Sequence, residues 1–83
     1  MSAEKILSDR QNEYGDADRN FSKIGALWAV ILDLDKPIEA HVVALMMDQL
    51  KTVRILANPE HADSWYDKLG YTTLGVNIVN RAD

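Results

Sequence analysis

Charged and aromatic side chains are concentrated in one stretch of this 83-residue chain, between residues 51 and 71. Two cations stand three positions apart, and a histidine, two aspartates and a tyrosine follow them: Lys51, Arg54, His61, Asp63, Asp67 and Tyr71. Charged side chains are rarely buried unless they are paired. These residues therefore predict either a paired internal network or a binding site for a charged ligand.

The spacing of Lys51 and Arg54 places both on one face of a helix. An arginine fork and a lysine point charge together suit a phosphate group. The alternative is that these cations pair with aspartates, such as Asp48, Asp63 or Asp67. A third arrangement combines the two, with a carboxylate holding the cation in place for its ligand.

The aspartates also raise the question of a metal site. Asp63 and Asp67 are four positions apart, so both point the same way from a helix, and Mg²⁺ prefers oxygen ligands. Two aspartates are too few, so Glu39 or Asp48 would have to contribute from another helix. The alternative roles are helix capping for Asp63 and a solvated loop position for His61. We expect no catalytic residue, no bound metal and no cofactor, with Mg²⁺ required only if the chain is a hydrolase.

A second polar group lies near the N-terminus and consists of Arg10, Tyr14 and Asn20. Tyrosine stacks on a nucleobase, and asparagine donates to and accepts from its edge. The structural alternative is that Arg10 pairs with a neighbouring acid while Tyr14 fills a gap between helices. Both interpretations stay open at this point.

Composition excludes several classes of protein. Thirteen acidic and nine basic residues give a net charge of −4, which argues against a duplex nucleic-acid binder, since such proteins need a basic face. There is no cysteine, as suits a reducing compartment. The longest apolar run, residues 42–47, is far shorter than the ~20 residues that span a bilayer, and no signal-peptide pattern is present. We expect one domain over residues 1–83, without membrane contact, in the cytoplasm.

Apolar periodicity predicts an all-α, compact four-helix domain. The first helix covers residues 3–12, and Gly15 is expected to end it. The second runs over residues 18–34 and contains Gly25, which indicates close approach of another helix. Pro37 is expected to open the third helix, which ends near residue 57. Asn58 and Pro59 are expected to start the fourth, which ends near residue 80.

The third predicted helix is apolar nearly all round, which is typical of a helix that is buried nearly all round. Three other helices of a chain this short can hardly cover it. We therefore predict a homo-oligomer, with part of this helix and Trp28 or Trp65 in the interface.

Taken together, the motifs resemble a family of small phage and prophage proteins of unknown function, over nearly the whole chain: Arg10-x-x-x-Tyr14-Gly15, Asn20-Phe21, Trp28, Lys51-x-x-Arg54 and His61-x-Asp63-Ser64-x-x-Asp67-x-x-Gly70-Tyr71. The tyrosine-glycine turn and the late Asp-x-x-Gly-Tyr are also similar to a phage domain associated with nucleotide modification. More distantly, the helical layout resembles the MazG-type nucleoside triphosphate pyrophosphatases, which are oligomers that use Mg²⁺. Their glutamate cluster is missing here, because the third helix has only Glu39 and Asp48.

Three hypotheses follow. The first is a non-catalytic phage protein, acting in the infected bacterial host, that binds a nucleotide-type ligand between subunits and sequesters a cyclic-nucleotide immune signal. Its ligand-binding residues would be Arg10, Tyr14, Asn20, Lys51, Arg54, His61, Asp63, Asp67 and Tyr71. The second is a Mg²⁺-dependent nucleotide pyrophosphohydrolase using Asp48, Asp63 and Asp67. The third is a module that binds a host protein through its apolar helix and Trp28 or Trp65.

Overall fold

The computed structural model describes the backbone of residues 3–81 and the side chains of residues 16–80. The described residues form three helices and no strand: α1 (Ala3–Ile31), α2 (Ala40–Ala57) and α3 (Ala62–Arg81). Helices α2 and α3 form an antiparallel hairpin through a four-residue connection, and α1 packs mainly on α2. The all-helical class is confirmed, whereas the prediction of four helices is wrong.

The first two predicted helices are one continuous helix, α1. Gly15 was expected to end a helix in the left-handed conformation, but no described glycine has a positive φ. A glycine inside a helix costs about 1 kcal/mol relative to alanine, and α1 continues through Gly15. Arg19 pairs with Asp16 one turn away and supports the helix just after the glycine.

Helix α1 ends at Ile31, three residues before the predicted end. Asp33 adopts the left-handed conformation with φ of 56°. The backbone N–H of Leu34 donates to the Ala29 carbonyl oxygen at 2.8 Å, and that of Asp33 donates to Val30 at 3.2 Å. This is a Schellman termination with aspartate in the place that glycine usually takes.

Helix α2 begins at Ala40, not at Pro37. Glu39 is extended, with φ of −67° and ψ of 151°, and occupies the N-cap position. The backbone N–H of Ile38 donates to the Gly25 carbonyl oxygen at 3.2 Å. Because this bond ties Ile38 to α1, the helix cannot start until the chain has passed that point.

The glycine at position 25 permits this junction. A Cβ atom there would overlap the Ile38 carbonyl oxygen and lie 3.3 Å from Cγ2 of Val43. The close approach predicted at Gly25 is therefore present, although the approaching backbone belongs to the segment before α2 as well as to α2.

The connection between α2 and α3 also differs from the prediction. Asn58 is the C-cap of α2, with its N–H donating to the Arg54 carbonyl oxygen at 3.0 Å. The N–H of His61 then donates to the Asn58 carbonyl oxygen at 3.1 Å. Asn58 and Pro59 therefore end one helix and turn the chain instead of opening the next, and α3 starts at Ala62.

A small core joins the three helices. Its buried residues are Phe21, Ala40, Val43, Ala44 and Ile78. Gly75 of α3 lies close to Ala44, where an added Cβ would be 3.4 Å from the alanine Cβ. Small residues on both helices thus let α2 and α3 approach closely.

One chain leaves much apolar surface uncovered. Only one face of α2 is buried, and Leu45, Leu50, Val53 and Leu56 are exposed on its other sides. The predicted burial of this helix nearly all round is therefore not reached within a single chain. None of the described helices is both long and apolar enough to cross a membrane.

Candidate functional site

A buried carboxylate, Asp48, joins α2 to α3. Its side chain accepts hydrogen bonds from the Lys68 ammonium group and from the Thr72 hydroxyl group, and the residue is only 6% exposed. The bonds from Lys68 and Thr72 hold the pKa of Asp48 below its ordinary value of 3.8, although burial acts in the opposite direction. Asp48 is therefore a paired internal charge.

A second cross-helix pair lies one turn further along α2. Nζ of Lys51 is 3.0 Å from Oδ2 of Asp67. Only 16% of the Lys51 side chain is exposed, whereas half of the Asp67 side chain is. Of the alternatives for Lys51, its pairing with Asp67 is the one that the structure shows.

Arg54 lies in different surroundings. It is exposed, and no carboxylate among residues 16–80 is within ion-pair distance of it. It lines a cavity of about 330 Å³ at the turn between α2 and α3, together with Ala57, Asn58, His61 and Ser64. We call these five residues the turn pocket.

The turn pocket is ordered by its own hydrogen bonds. Nδ1 of His61 is 2.9 Å from Oγ of Ser64, which is almost fully buried. The N–H of Ser64 donates to the His61 carbonyl oxygen at 3.1 Å. The imidazole is thus held at the N-terminal end of α3, where the helix dipole favours an anion.

The other predicted site residues are not gathered there. Tyr71 packs against Phe21 with ring centroids 6.2 Å apart and lines a separate cavity. Asp63 is exposed in the first turn of α3, and Asn20 is exposed on α1. The side chains of Arg10 and Tyr14 lie outside the described residues.

The carboxylates of the hydrolase hypothesis are not assembled either. Among the side chains from 16 to 80, no group of three His, Asp or Glu residues is placed to hold a metal ion. Asp48 is bonded to Lys68 and Thr72, and Asp67 to Lys51. A shared Mg²⁺ site would require both aspartates to leave these partners.

Comparison with known proteins identifies the family. Residues 1–79 match the family model described as Domain of unknown function (DUF6378). The chain belongs to this family. The DUF6378 match extends over α1, α2 and most of α3, including the turn pocket.

A relative of this chain is found in a bacteriophage. The chain is 36% identical over 73 residues to the Gene 55 protein of Mycobacterium phage L5, an alignment that covers 84% of this chain and 45% of that protein. The chain thus spans less than half the length of this relative. No solved structure matches. The resemblance to small phage proteins of unknown function is confirmed, and the likeness to MazG-type enzymes stays a prediction.

Four residues of the DUF6378 chain that bond Asp48 or line the turn pocket were not among the residues predicted from the sequence. Lys68 and Thr72 bond Asp48, and Asn58 and Ser64 line the turn pocket. Lys68 and Thr72 are one turn apart on a helix, which is a signal for a shared partner. No comparable signal marks Ser64, because its burial follows from the way the two helices meet.

Proposed function

We propose that this DUF6378 protein binds a small nucleotide-type anion, with a phosphate group in the turn pocket. Arg54 is the residue that carries the proposal. It is the arginine of the predicted cation pair, and the structure leaves it exposed and without an ionic partner among residues 16–80.

The surroundings of Arg54 suit an anion. A guanidinium group offers a planar fork of donors to phosphate oxygens, and charge-assisted hydrogen bonds of this kind are about twice as strong as neutral ones. Asn58 adds an amide, His61 adds an imidazole, and the first turn of α3 adds N–H groups without helical acceptors. None of the residues that line the turn pocket is an aspartate or glutamate, although the net charge of the chain is −4.

Some of the remaining predicted residues have supporting parts in this proposal. The Lys51–Asp67 pair lies one turn of α2 before Arg54 and holds α3 against α2 beside the pocket. Stacking of a base on Tyr14 and a phosphate contact from Arg10 stay predictions, because both side chains lie outside the described residues. Tyr71 is not part of the turn pocket.

A role in phage infection is part of the same proposal. The relative in Mycobacterium phage L5 is a phage protein, and bacterial hosts use nucleotides as signals. A binder that holds such a nucleotide without converting it would lower its free concentration. We therefore place this chain in the infected host cell, as a sponge for a nucleotide signal.

Isothermal titration of the purified chain against a panel of cyclic and linear nucleotides tests the proposal. We expect at least one member to bind, and Arg54→Gln to weaken that binding by tenfold or more, about 1.4 kcal/mol. Arg19→Gln removes an exposed arginine of α1 that pairs with Asp16, away from the turn pocket, and is expected to leave the affinity unchanged.

Two results would contradict the proposal. One is the absence of binding tighter than about millimolar for every nucleotide in the panel. The other is an Arg54→Gln variant that binds as well as the wild type while Arg19→Gln is also unaffected. Release of phosphate or diphosphate from nucleoside triphosphates would identify a hydrolase instead.

A further inference from the structure

The cations near the turn pocket differ in whether a carboxylate neutralises them. Nζ of Lys51 is 3.0 Å from Oδ2 of Asp67, and Lys68 pairs with Asp48. Arg54, one turn after Lys51 on α2, has no carboxylate within ion-pair distance among the described side chains. The described part of the site therefore offers a ligand one formal positive charge that no carboxylate cancels.

The surroundings of this charge are acidic. Glu60 and Asp63 are exposed before and after His61, and neither lines the turn pocket. The N-terminus of α3 adds only a partial positive charge, about half of an elementary charge. The chain as a whole carries a net charge of −4. An anion with several negative charges is therefore attracted through a small part of its charge and repelled through the rest.

The phosphate groups of nucleotides differ in charge according to the number of their ester bonds. A phosphodiester carries one negative charge, whereas a phosphate monoester carries about −1.5 to −2 near pH 7. A polyphosphate chain carries more charge still. A single guanidinium group binds two oxygens of one phosphate through its planar fork and balances the charge of a phosphodiester. The charge of the turn pocket thus fits a phosphodiester better than a polyphosphate.

The pair between Lys51 and Asp67 decides this balance. Lys51 shares a face of α2 with Arg54, and 16% of its side chain is exposed. Without the Asp67 carboxylate, these two cations would form a site for a ligand with two or more negative charges. By Coulomb's law, one unit charge about 6 Å away in water changes the affinity for a monoanion by about threefold, and the factor multiplies with each further charge on the ligand.

We infer that Asp67 determines the ligand class of this chain: by neutralising Lys51, it restricts the turn pocket to nucleotides whose phosphate is a diester. This inference rests on the proposed function, because it requires a ligand phosphate at Arg54. Asp67 acts through Lys51 and does not contact the ligand itself. The preferred ligands are cyclic nucleotides, and nucleoside 5′-phosphates with a free terminal phosphate bind weakly.

Isothermal titration with a charge series tests the inference in the wild type. The probes are the 3′,5′-cyclic monophosphates, the cyclic dinucleotides, the 5′-monophosphates and the 5′-triphosphates of the four common ribonucleosides, without divalent metal. We expect a cyclic mono- or dinucleotide to bind about tenfold or more tightly than the 5′-triphosphate of the same base. The two cyclic arms distinguish a ligand with one diester from a ligand with two.

Three variants separate the charge of Asp67 from its structural role. Asp67→Asn is expected to raise the affinity for the triphosphate by about tenfold or more and that for the cyclic nucleotide by only about threefold. Lys51→Gln should shift both affinities in the opposite direction, with the larger loss for the triphosphate. The double variant Lys51→Gln/Asp67→Asn should restore the wild-type ratio of affinities, because the charge of the site is again that of the wild type.

Asp35→Asn is the matched control for net charge. It removes one carboxylate, as Asp67→Asn does, but from an exposed residue that precedes α2. Arg54 is in the last turn of α2, about 20 Å along the helix from its start. That distance exceeds the Debye length of about 8 Å at physiological ionic strength, so Asp35→Asn should leave the ratio of affinities unchanged.

The possible failures are distinguishable. If no probe binds, the proposed function falls and this inference falls with it. If binding depends on Arg54 but the wild type holds triphosphates as tightly as cyclic nucleotides, the inference is overturned while the proposed function stands. The inference is overturned equally if Asp67→Asn leaves the ratio of affinities unchanged, or if Asp35→Asn changes that ratio as much as Asp67→Asn does.

Discussion

Helix α2 is held by its two neighbours in different ways. Its junction with α1 is steric, because the Ile38 backbone lies directly against Gly25 and the surrounding contacts are apolar. Its junction with α3 is largely electrostatic, with Asp48 bonded to Lys68 and Thr72, and Lys51 bonded to Asp67. Among residues 16–80, no ion pair links α1 to either of the other helices.

The two junctions therefore specify different parts of the fold. The contact between Gly25 and the Ile38 backbone leaves no room for a side chain at position 25. It fixes the position of α1, and it does not depend on pH or salt. The polar contacts fix the register of α3 on α2, because a shift of one residue would separate a buried carboxylate from both donors. Substitutions at the two junctions therefore have different consequences.

The largest expected effect is at the steric junction. Gly25→Ala places a methyl group against the Ile38 carbonyl oxygen, and overpacking of this kind costs about 3 kcal/mol. We expect a large fall in the urea midpoint of unfolding, measured by circular dichroism. Gly70→Ala is the matched control: nothing lies within 4 Å of its added Cβ, so alanine should stabilise α3 by up to about 1 kcal/mol. Equal stability of the two variants would contradict the steric account.

A smaller effect is expected at the polar junction. Asp48→Asn keeps an acceptor for Thr72 but leaves the Lys68 ammonium group without its charge partner, at a cost of about 2 kcal/mol. The comparison variant is Asp67→Asn, whose half-exposed pair with Lys51 should contribute less than about 1 kcal/mol. Urea unfolding of both variants measures the difference. A larger loss for Asp67→Asn than for Asp48→Asn would reverse our ranking of the two pairs.

The smallest effect is the pH dependence that Asp48 contributes. Its pKa is lowered in the folded chain, so the folded state binds fewer protons than the unfolded state near that pKa. This contribution to stability is fully present above about pH 5 and is lost as the pH falls through the folded pKa. Wild type and Asp48→Asn should therefore converge in unfolding free energy on acidification. A gap between them that stays constant down to about pH 2 would show that Asp48 is not responsible.

Much of the secondary structure could be predicted from the residues. The apolar periodicity correctly gave helices over most of the chain, and Gly25 correctly indicated a close approach. The boundaries were less accurate, because Gly15 and Pro37 have two compatible roles each. A glycine either ends a helix or is tolerated inside one, and a proline either opens a helix or precedes it.

The site was predicted only as a set of alternatives. Lys51 and Arg54 have the same charge and lie on the same helix, yet Lys51 is paired with Asp67 and Arg54 lines an open pocket. The sequence could not separate them, because the difference depends on which residues of α3 lie opposite each one. The partner of Asp48 was missed for the same reason, since Lys68 is 20 residues away along the chain.

The sequence alone determined the helical class, the acidic balance and the concentration of polar residues near the end of α2 and the start of α3. These properties depend on composition and on local spacing, and both are contained in the linear sequence. Only the tertiary structure decided that α1 is continuous, that Asp48 is neutralised by Lys68 and that Arg54 lacks such a partner among the described side chains. Pairing between helices depends on their register and distance, and these are set by contacts such as Gly25 with Ile38 and Gly75 with Ala44.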